Sequence, residues 1–445
     1  MLFILLLISV FANDLFDLSL DDNLLFQRFK QNYNKIYKDD DEEKKRKEIF
    51  INNLIDLRKK YNSGKHFVGI NIFADRLKVE LPPLTNNNVN DPSILDKFKQ
   101  LKLDYSNLKQ VVEIPKNYFS CDENGDDLCG KTVHQGDCGS CYACSIANNM
   151  QIQYSFLTKK KGHISKEVFS AQQVIDCYEE PSNSEDLVNQ LKNPFHKKGC
   201  SGGSQYYGLL SVKEFALNSS YPYEDYYTWS SKIYDDGSYQ DICNELQIKD
   251  SNCTELQKEI SLSNLKECRQ DNYNKYIGHN FDNLRMFNNY NWETIKYVIY
   301  TYKSFLAVIY ANSDLMQLSD KSIFECDIID SHLHSPNHAV VVDGYGEEKV
   351  GDEIIRYLWV RNSWEDYHGG YGNAHFKLNF DPDKSCVLNS YYVDASGQQI
   401  FVPNFIVDPY LIHDTFPLDI DEESEEESSS IRLIIGIIAL ILIMI

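Results

Sequence analysis

Apolar and polar residues alternate with different periods in different parts of this chain. Leu25, Phe26, Phe29, Tyr33, Ile36 and Tyr37 recur at spacings of three and four in a charged background. Ile49, Phe50, Asn53, Leu54 and Leu57 repeat the pattern. Such spacing keeps one stripe of a helix apolar, so residues 24–62 are predicted to form amphipathic helices. Ala143, Ile146, Ala147, Met150 and Tyr154 show the same period directly after a Gly-rich turn. The C-terminal part reads differently: the short apolar runs Phe305–Tyr310, Ala339–Val342 and Tyr357–Val360 are predicted to be strands.

The two ends are apolar without a period. Residues 1–12, MLFILLLISVFA, close on small residues and are too short to span a bilayer, so they read as a signal peptide cut near Ala12. The usual positive charges before the apolar run are missing. Residues 431–445 end in 13 uninterrupted apolar residues, Leu433 to Ile445, where a spanning helix wants about 20. A short or tilted membrane anchor is the favoured reading of this tail; a lipid-anchor signal and a peripheral or processed tail are the alternatives. The stretch before it, residues 404–430, reads as an acidic linker. From Asp408 to Glu427 it holds nine acids and no Lys or Arg, so it repels itself and stays extended.

Composition narrows the partners. Across 445 residues, 66 acidic side chains face 44 basic ones, a net charge of -22, which argues against nucleic acid. All twelve cysteines lie between Cys121 and Cys386. Behind a signal peptide they enter an oxidising compartment and are expected to form disulfides. Cys121 and Cys129, close in sequence, are expected to close a local loop. No Cys/His set with zinc spacing stands out, and neither a metal nor a cofactor is expected.

The densest chemistry is HQGDCGSCYAC, His134 to Cys144. A turn followed by helical spacing puts Cys141 at a helix N-terminus, where the dipole and free N–H groups favour a thiolate. Cys138 and Cys141 also make a C-x-x-C pair, which on its own fits a thiol–disulfide oxidoreductase. A thiolate nucleophile needs a proton partner. His338 stands at the mouth of the strand Ala339–Val342, although His332 and His334 are rivals by composition. Asn362 follows the strand Tyr357–Val360 and is flanked by Trp364. A side-chain amide there can hold an imidazole without competing for its proton.

In order and context these segments resemble the papain-like cysteine proteases. HQGDCGSCYAC is similar to the family's nucleophile segment, NHAVVVDGYG to its histidine segment and YLWVRNSW to its asparagine segment. The resemblance implies Cys141 as nucleophile, His338 as its acid–base partner and Asn362 as the orienter. Gln135 would donate to the oxyanion hole together with the Cys141 backbone N–H. KKGCSGG resembles the strand along the substrate cleft, with Gly202 and Gly203 letting substrate backbone approach. AQQVIDC, ending at Cys177, and ALNSSYPY match further landmarks. Trp364 would line the cleft, and Tyr391, five residues past Cys386, would shorten the side-chain specificity pocket.

The leader carries the resemblance as well. LFQRFKQNYNKIY with Glu42, Arg46, Phe50, Asn53 and Leu57 resembles the interrupted helical motif of papain-family proregions, with Tyr61 where the final Asn is expected. GINIFAD, placing Gly69, Asn71, Phe73 and Asp75 on every second residue, resembles the second motif. An inhibitory propeptide running backward through the cleft is implied, with cleavage near Lys109–Glu113.

Departures from the family pattern are local. Cys144 stands where an aromatic is common, and NSW is followed by EDYHGGYG, so Glu365 replaces a Gly and His368 falls near a missing Trp. This puts titratable groups on the leaving-group side and leaves primed-side preference open. The separation of 197 positions from Cys141 to His338 exceeds the roughly 130–150 of small members, so an insertion is expected around 224–300. It contains Cys243, Cys253 and Cys268. By resemblance Cys138 pairs with Cys200, Cys177 with Cys243 or Cys253, and Cys326 with Cys386. Cys268 takes whichever of Cys243 and Cys253 is left, and Cys144 stays free. Asn218 and Asn252 open glycosylation motifs.

The expected architecture is an α+β, papain-like two-lobed fold, with a helical lobe and a β-barrel-like lobe, behind a helical inhibitory propeptide. The expected organisation is signal 1–12, propeptide 13–111, peptidase 112–403, acidic linker 404–430 and tail 431–445. The expected activity is that of a cysteine endopeptidase made as a zymogen, acting on proteins and peptides and restrained by its own propeptide. It would work in an acidic lysosome- or vacuole-like compartment or outside the cell, with attachment to a membrane through the tail. A papain-like exopeptidase with the insertion or His332/His334 blocking the cleft, and a non-catalytic secreted binding protein, are the alternatives.

Overall fold

The computed structural model describes residues 17–84, 113–122, 127–136, 138–158, 169–178, 202–212, 277–279, 284–287, 291–326, 336–365, 368–371, 374–381, 384–385, 391–393, 399–401, 404–407 and 409–411. The signal, the tail, residues 412–430 of the acidic stretch, Cys200, Cys243, Cys253, Cys268, Cys386, His332 and His334 lie outside them.

The leader folds into α1 (Asp22–Asn32) and α2 (Asp40–Asn62). Asp21 caps α1 by accepting from the N–H groups of Asn23 and Leu24, and Asp39 caps α2 through that of Glu42. Each such cap satisfies a backbone donor the helix leaves open, worth about 1 kcal/mol. Leu25, Phe26, Phe29, Phe50, Leu54 and Leu57 meet as a buried cluster with Val68 and Ile70. The aromatic rings interlock, with Phe50 centred 5.0 Å from Phe29 and 5.4 Å from Phe26. Arg58 ties the start of the leader by donating to the carbonyls of Leu18 and Leu20 and pairing with Asp22 at 2.7 Å.

The helical lobe is built on α3 (Cys141–Thr158), with α4 (Ala171–Cys177) and α5 (Gln205–Ser211) packed against it. Its core joins Tyr142, Ile146, Met150, Val174, Tyr178, Tyr206 and Leu209 to Ala339 and Val341 from the sheet.

The other lobe is a sheet flanked by α6 (Trp292–Tyr302) and α7 (Ser313–Met316). The strands in chain order are β1 (Tyr118–Phe119), β2 (Ile277–His279), β3 (Arg285–Phe287), β4 (Phe305–Ile309), β5 (Ile323–Phe324) and β6 (His338–Val350). They continue with β7 (Glu353–Arg361), β8 (His375–Asn379), β9 (Tyr391–Val393), β10 (Gln399–Phe401), β11 (Asn404–Ile406) and β12 (Pro409–Leu411). The main sheet runs β3-β11-β4-β6-β7-β8-β5, with β1 added on β6. β9 pairs with β10 and β2 with β12 as separate two-stranded units. Among the described residues the main sheet does not close into a barrel: β3 and β5 end the path.

Two stretches join the body where sequence patterning suggested periphery. α6, at the end of the expected insertion, buries Trp292, Ile295, Val298 and Ile299 against the sheet. β11 lies between β3 and β4 with Phe405 and Ile406 buried, inside the stretch read as the start of the acidic linker. Only long-range pairing gives such a short segment its place. No helix among the described residues is long and apolar enough to cross a membrane.

Candidate active site

Cys141 opens α3 and is fully buried; it and Cys144 are the free cysteines among the described residues. Burial pushes the Cys144 thiol well above its usual range, which makes it an inert core group. Cys138, three residues before Cys141, is disulfide-bonded, as are Cys177 and Cys326, their partners lying outside the described residues. A bonded Cys138 removes the dithiol pair that an oxidoreductase would require.

The sheet brings the other groups to the start of α3. β6 begins at His338 and packs on α3, and Ala339 shares a buried cluster with Cys141. β7 runs antiparallel to β6 with Arg361 opposite Val341, so the chain after Arg361 passes alongside His338. Asn362 Oδ1 accepts from the Ser363 backbone N–H at 2.8 Å, which fixes the oxygen end of the amide. The same oxygen lies 2.6 Å from His338 Nε2, so that nitrogen carries the hydrogen and Nδ1 is the basic one in the neutral ring. Trp364 covers the imidazole, with ring centres 4.7 Å apart. Burial lowers the His338 pKa to about 4; the Asn362 hydrogen bond opposes this shift, and neighbouring His368 adds to it.

Gln135 reaches the same place from the loop before α3. Its backbone N–H donates to Ser363 O at 2.7 Å, and its Oε1 accepts from Ser363 Oγ at 2.7 Å. The amide is thereby turned so that Nε2 donates to Cys138 O at 3.0 Å and to Pro83 O at 3.3 Å. The loop is clamped from below by Arg361, which is buried and donates to Cys129 O, Gly130 O and Thr132 Oγ1 at 2.8, 3.0 and 3.1 Å. Neither Ser363 nor Arg361 stood out in the sequence. Both flank Asn362, and that adjacency was the available signal.

Gly202, at φ +93°, and Gly203 precede α5. A side chain at Gly203 would come within 2.9 Å of the Tyr142 ring, next to Cys141. Tyr391 opens β9, paired with Phe401, in a unit separate from the main sheet.

A second cluster was not anticipated. Cys121, Cys129, Asp343 and His375 bring one ligand-type atom each to within 4.8 Å of one another, with His375 Nε2 2.8 Å from Asp343 Oδ2. By residue type it looks like a nucleophile triad or a metal site. Cys121 and Cys129 are, however, bonded to each other, as their short spacing suggested. Sulfurs in a disulfide offer no thiolate to a carbonyl or a cation. The cluster braces the segment after β1 against β6 and β8, where Phe119 meets His375 edge-on at 5.0 Å.

The leader lies across this site. Gly69 N–H donates to Gln317 O at 2.8 Å and Ser319 N–H to Phe67 O at 2.9 Å, a short antiparallel contact around the Val68–Leu318 bridge. A Cβ on Gly69 would stand 2.6 Å from Ser319 Oγ, so only glycine permits the approach. Asn71 Nδ2 donates to Met316 O and Leu318 O at 2.7 and 3.0 Å. Phe73 stacks on His368 at 5.4 Å and meets Trp364 edge-on at 6.3 Å. Asp75 faces back into the leader, accepting from Lys35 Nζ and Tyr37 Oη, both at 2.9 Å. The alternating motif is therefore a strip with a distinct task at each position.

Comparison with known proteins agrees with this arrangement. The papain family cysteine protease profile matches residues 118–395, and the cathepsin propeptide inhibitor domain (I29) profile matches residues 26–81. The chain is 28% identical to papain of Carica papaya over 206 residues, 45% of this chain and 51% of papain. It is 30% identical to caricain of Carica papaya over 208 residues, 45% of this chain and 50% of caricain. The chain thus spans about half the length of these relatives. The structure of digestive procathepsin L2 proteinase from Tenebrio molitor larval midgut superposes with a TM-score of 0.55. That match is at 19% identity and covers 87% of this chain and all of that one. A helical lobe and a sheet lobe stand behind a leader that matches the inhibitor profile, and the papain family profile spans more than half of the chain. This chain belongs to the papain family.

Proposed function

We propose that this chain is the zymogen of a papain-type cysteine endopeptidase, with Cys141, His338, Asn362 and Gln135 as its reacting and positioning groups. The observation that carries the reading is the Pro83 carbonyl on Gln135 Nε2: the leader holds the donor that an oxyanion would need. Once the leader is gone, the Cys141 thiolate attacks a peptide carbonyl carbon. The oxygen, gaining charge, is held by Gln135 Nε2 and the Cys141 backbone N–H. His338 gives its proton to the departing amine, leaving a thioester on Cys141. Water, deprotonated by His338, then releases the acid. Asn362 keeps the ring in the required tautomer throughout.

Gly202 and Gly203 would let substrate backbone lie close to Tyr142, and Trp364 and Tyr391 would bound the cleft and its side-chain pocket. Several finer features belong to the same reading: closure of the sheet lobe into a barrel, and bridges Cys138–Cys200, Cys177 to Cys243 or Cys253, and Cys326–Cys386. The signal would route the protein to an acidic vesicle or the exterior, and the apolar tail would hold it at a membrane.

Acid-activated wild type and Cys141→Ala would be given a peptide blocked at both ends. Internal cleavage by the wild type alone is expected. Cleavage by Cys141→Ala would overturn the mechanism. Cleavage only of peptides with a free end would replace the endopeptidase with an exopeptidase.

A further inference from the structure

Glu365 is where this chain departs from the family pattern after Asn-Ser-Trp, and the leader has already put a ligand on it. Arg76 Nη2 donates to Glu365 Oε1 at 2.7 Å. Arg76 is the only ion-pair partner of Glu365 among the described residues. The guanidinium is presented by a fixed turn. Its own N–H donates to Phe73 O at 2.9 Å, its carbonyl accepts from Asn53 Nδ2 at 2.8 Å, and its charge lies 5.0 Å over the Phe73 ring. Phe73 in turn rests on His368 and Trp364.

The position relative to the chemistry follows from the same rings. Trp364 covers His338, and Glu365 is the next residue. In the reading proposed above, His338 delivers its proton to the leaving amine, so the departing half of the substrate runs past Trp364. Removal of the leader takes away Phe73 and Arg76 together. What remains is an aromatic wall of Trp364 and His368 with a carboxylate at its edge. The Glu365 side chain is 43% exposed even with Arg76 in place, so an incoming side chain can reach it.

We propose that Glu365 is a specificity-determining residue that favours a basic side chain on the leaving-group side of the scissile bond, and that Arg76 occupies this subsite in the zymogen. The proposal rests on the endopeptidase reading. A lysine or arginine in the substrate repeats the Arg76 contact. An aspartate or glutamate there meets a like charge. The pair is partly solvated, so the preference is moderate and screened by salt.

The test uses the activated full-chain enzyme and internally quenched peptides with one cleavage site. Arg, Gln or Glu is placed in turn at each of the first positions after the cut. The readout is the ratio of kcat/KM for Arg over Glu within each enzyme variant, so that loss of active fraction cancels. At low ionic strength the wild type is expected to favour Arg over Glu about fivefold at one position. Glu365→Gln should bring that ratio near one, and Glu365→Lys should invert it. Added salt should shrink the wild-type ratio. An Arg preference that survives in Glu365→Gln, or no preference in the wild type, overturns the proposal. A substrate with only a dye after the cut separates the two readings. A wild type active on the dye but indifferent to Arg sinks this proposal alone, whereas one inactive on both removes the endopeptidase reading. As a second measure, the free leader carrying Arg76→Gln should inhibit the wild-type enzyme less than the native leader. It should inhibit Glu365→Gln no less than the native leader does. Equal losses on both enzymes would count against the pairing.

Discussion

Gln135 Nε2 donates to the backbone carbonyl of Pro83 at 3.3 Å, while Ser363 Oγ donates to Gln135 Oε1 at 2.7 Å. One amide thus links the inhibitor to the loop that carries Asn362. Its orientation is set by a serine that holds the oxygen end and frees the nitrogen end for the site.

Gln135→Ala removes the donor itself and is expected to lower kcat by about a hundredfold to a thousandfold. Ser363→Ala only loosens it and should cost about tenfold in kcat with little change in KM. Both are measured on activated enzyme with a dye substrate. An effect of Ser363→Ala confined to KM would show that Ser363 does not set the donor.

Gly69→Ala puts a methyl group within 2.6 Å of Ser319 Oγ and 2.7 Å of Ser319 Cβ, in a contact held by backbone on both sides. Overpacking of this kind costs about 1–3 kcal/mol. The separate leader with this change should inhibit the mature enzyme about tenfold less well or worse. Undiminished inhibition would mean that the 313–320 segment moves freely.

Acid should loosen the zymogen through two histidines. His338 and His368 are fully buried beneath the leader, and burial lowers both to about 4 from 6.5. For a base with a depressed folded value, the stabilisation is present above the ordinary value of about 6.5 and is lost as pH falls toward about 4. The melting temperature of the Cys141→Ala zymogen is therefore expected to fall across this window. His368→Gln keeps a donor for Leu315 O and cannot titrate, so its melting temperature should fall less steeply. Parallel curves for the two proteins would exclude His368 as a contributor.

Asp320 works in the opposite direction. Burial raises its pKa to about 6, although the Tyr33 hydroxyl donates to Oδ2 at 2.8 Å, and its Oδ1 is buried with no hydrogen-bond partner among the described residues. A carboxyl with a raised folded value favours the folded state at low pH, and this contribution is lost as pH rises through about 6. Asp320→Asn retains the acceptor for Tyr33 without a charge. Its melting temperature should match the parent near pH 4 and exceed it above pH 6. A variant less stable than the parent at pH 7 would contradict the cost assigned to the buried carboxylate.

Much of this was written locally in the chain. The helical period of Phe26, Phe29, Phe50, Leu54 and Leu57 is a short-range property, and α1 and α2 follow it. The turn-then-helix pattern at Cys141 and the apolar run behind His338 are equally local, so both elements could be read off, although β6 starts at His338 and runs on to Val350, well past the expected strand Ala339–Val342. Glu365 and His368 were visible as departures, but nothing in the sequence said what they would touch.

Contacts between distant segments were decided elsewhere. Arg361 beneath the Gln135 loop, Ser363 on the Gln135 amide and Pro83 on the same amide join residues 52 to 232 positions apart. The cluster of His375, Asp343 and the Cys121–Cys129 bridge depends on β6 and β8 lying on either side of β7. β11 found its place between β3 and β4 because its residues bury there, not because three residues specify a strand. Side-chain type and period fix which local element forms and what chemistry it carries. Which elements meet is settled only when the lobes and leader bury their apolar faces together, and that burial brought Arg76 to Glu365 and Pro83 to Gln135.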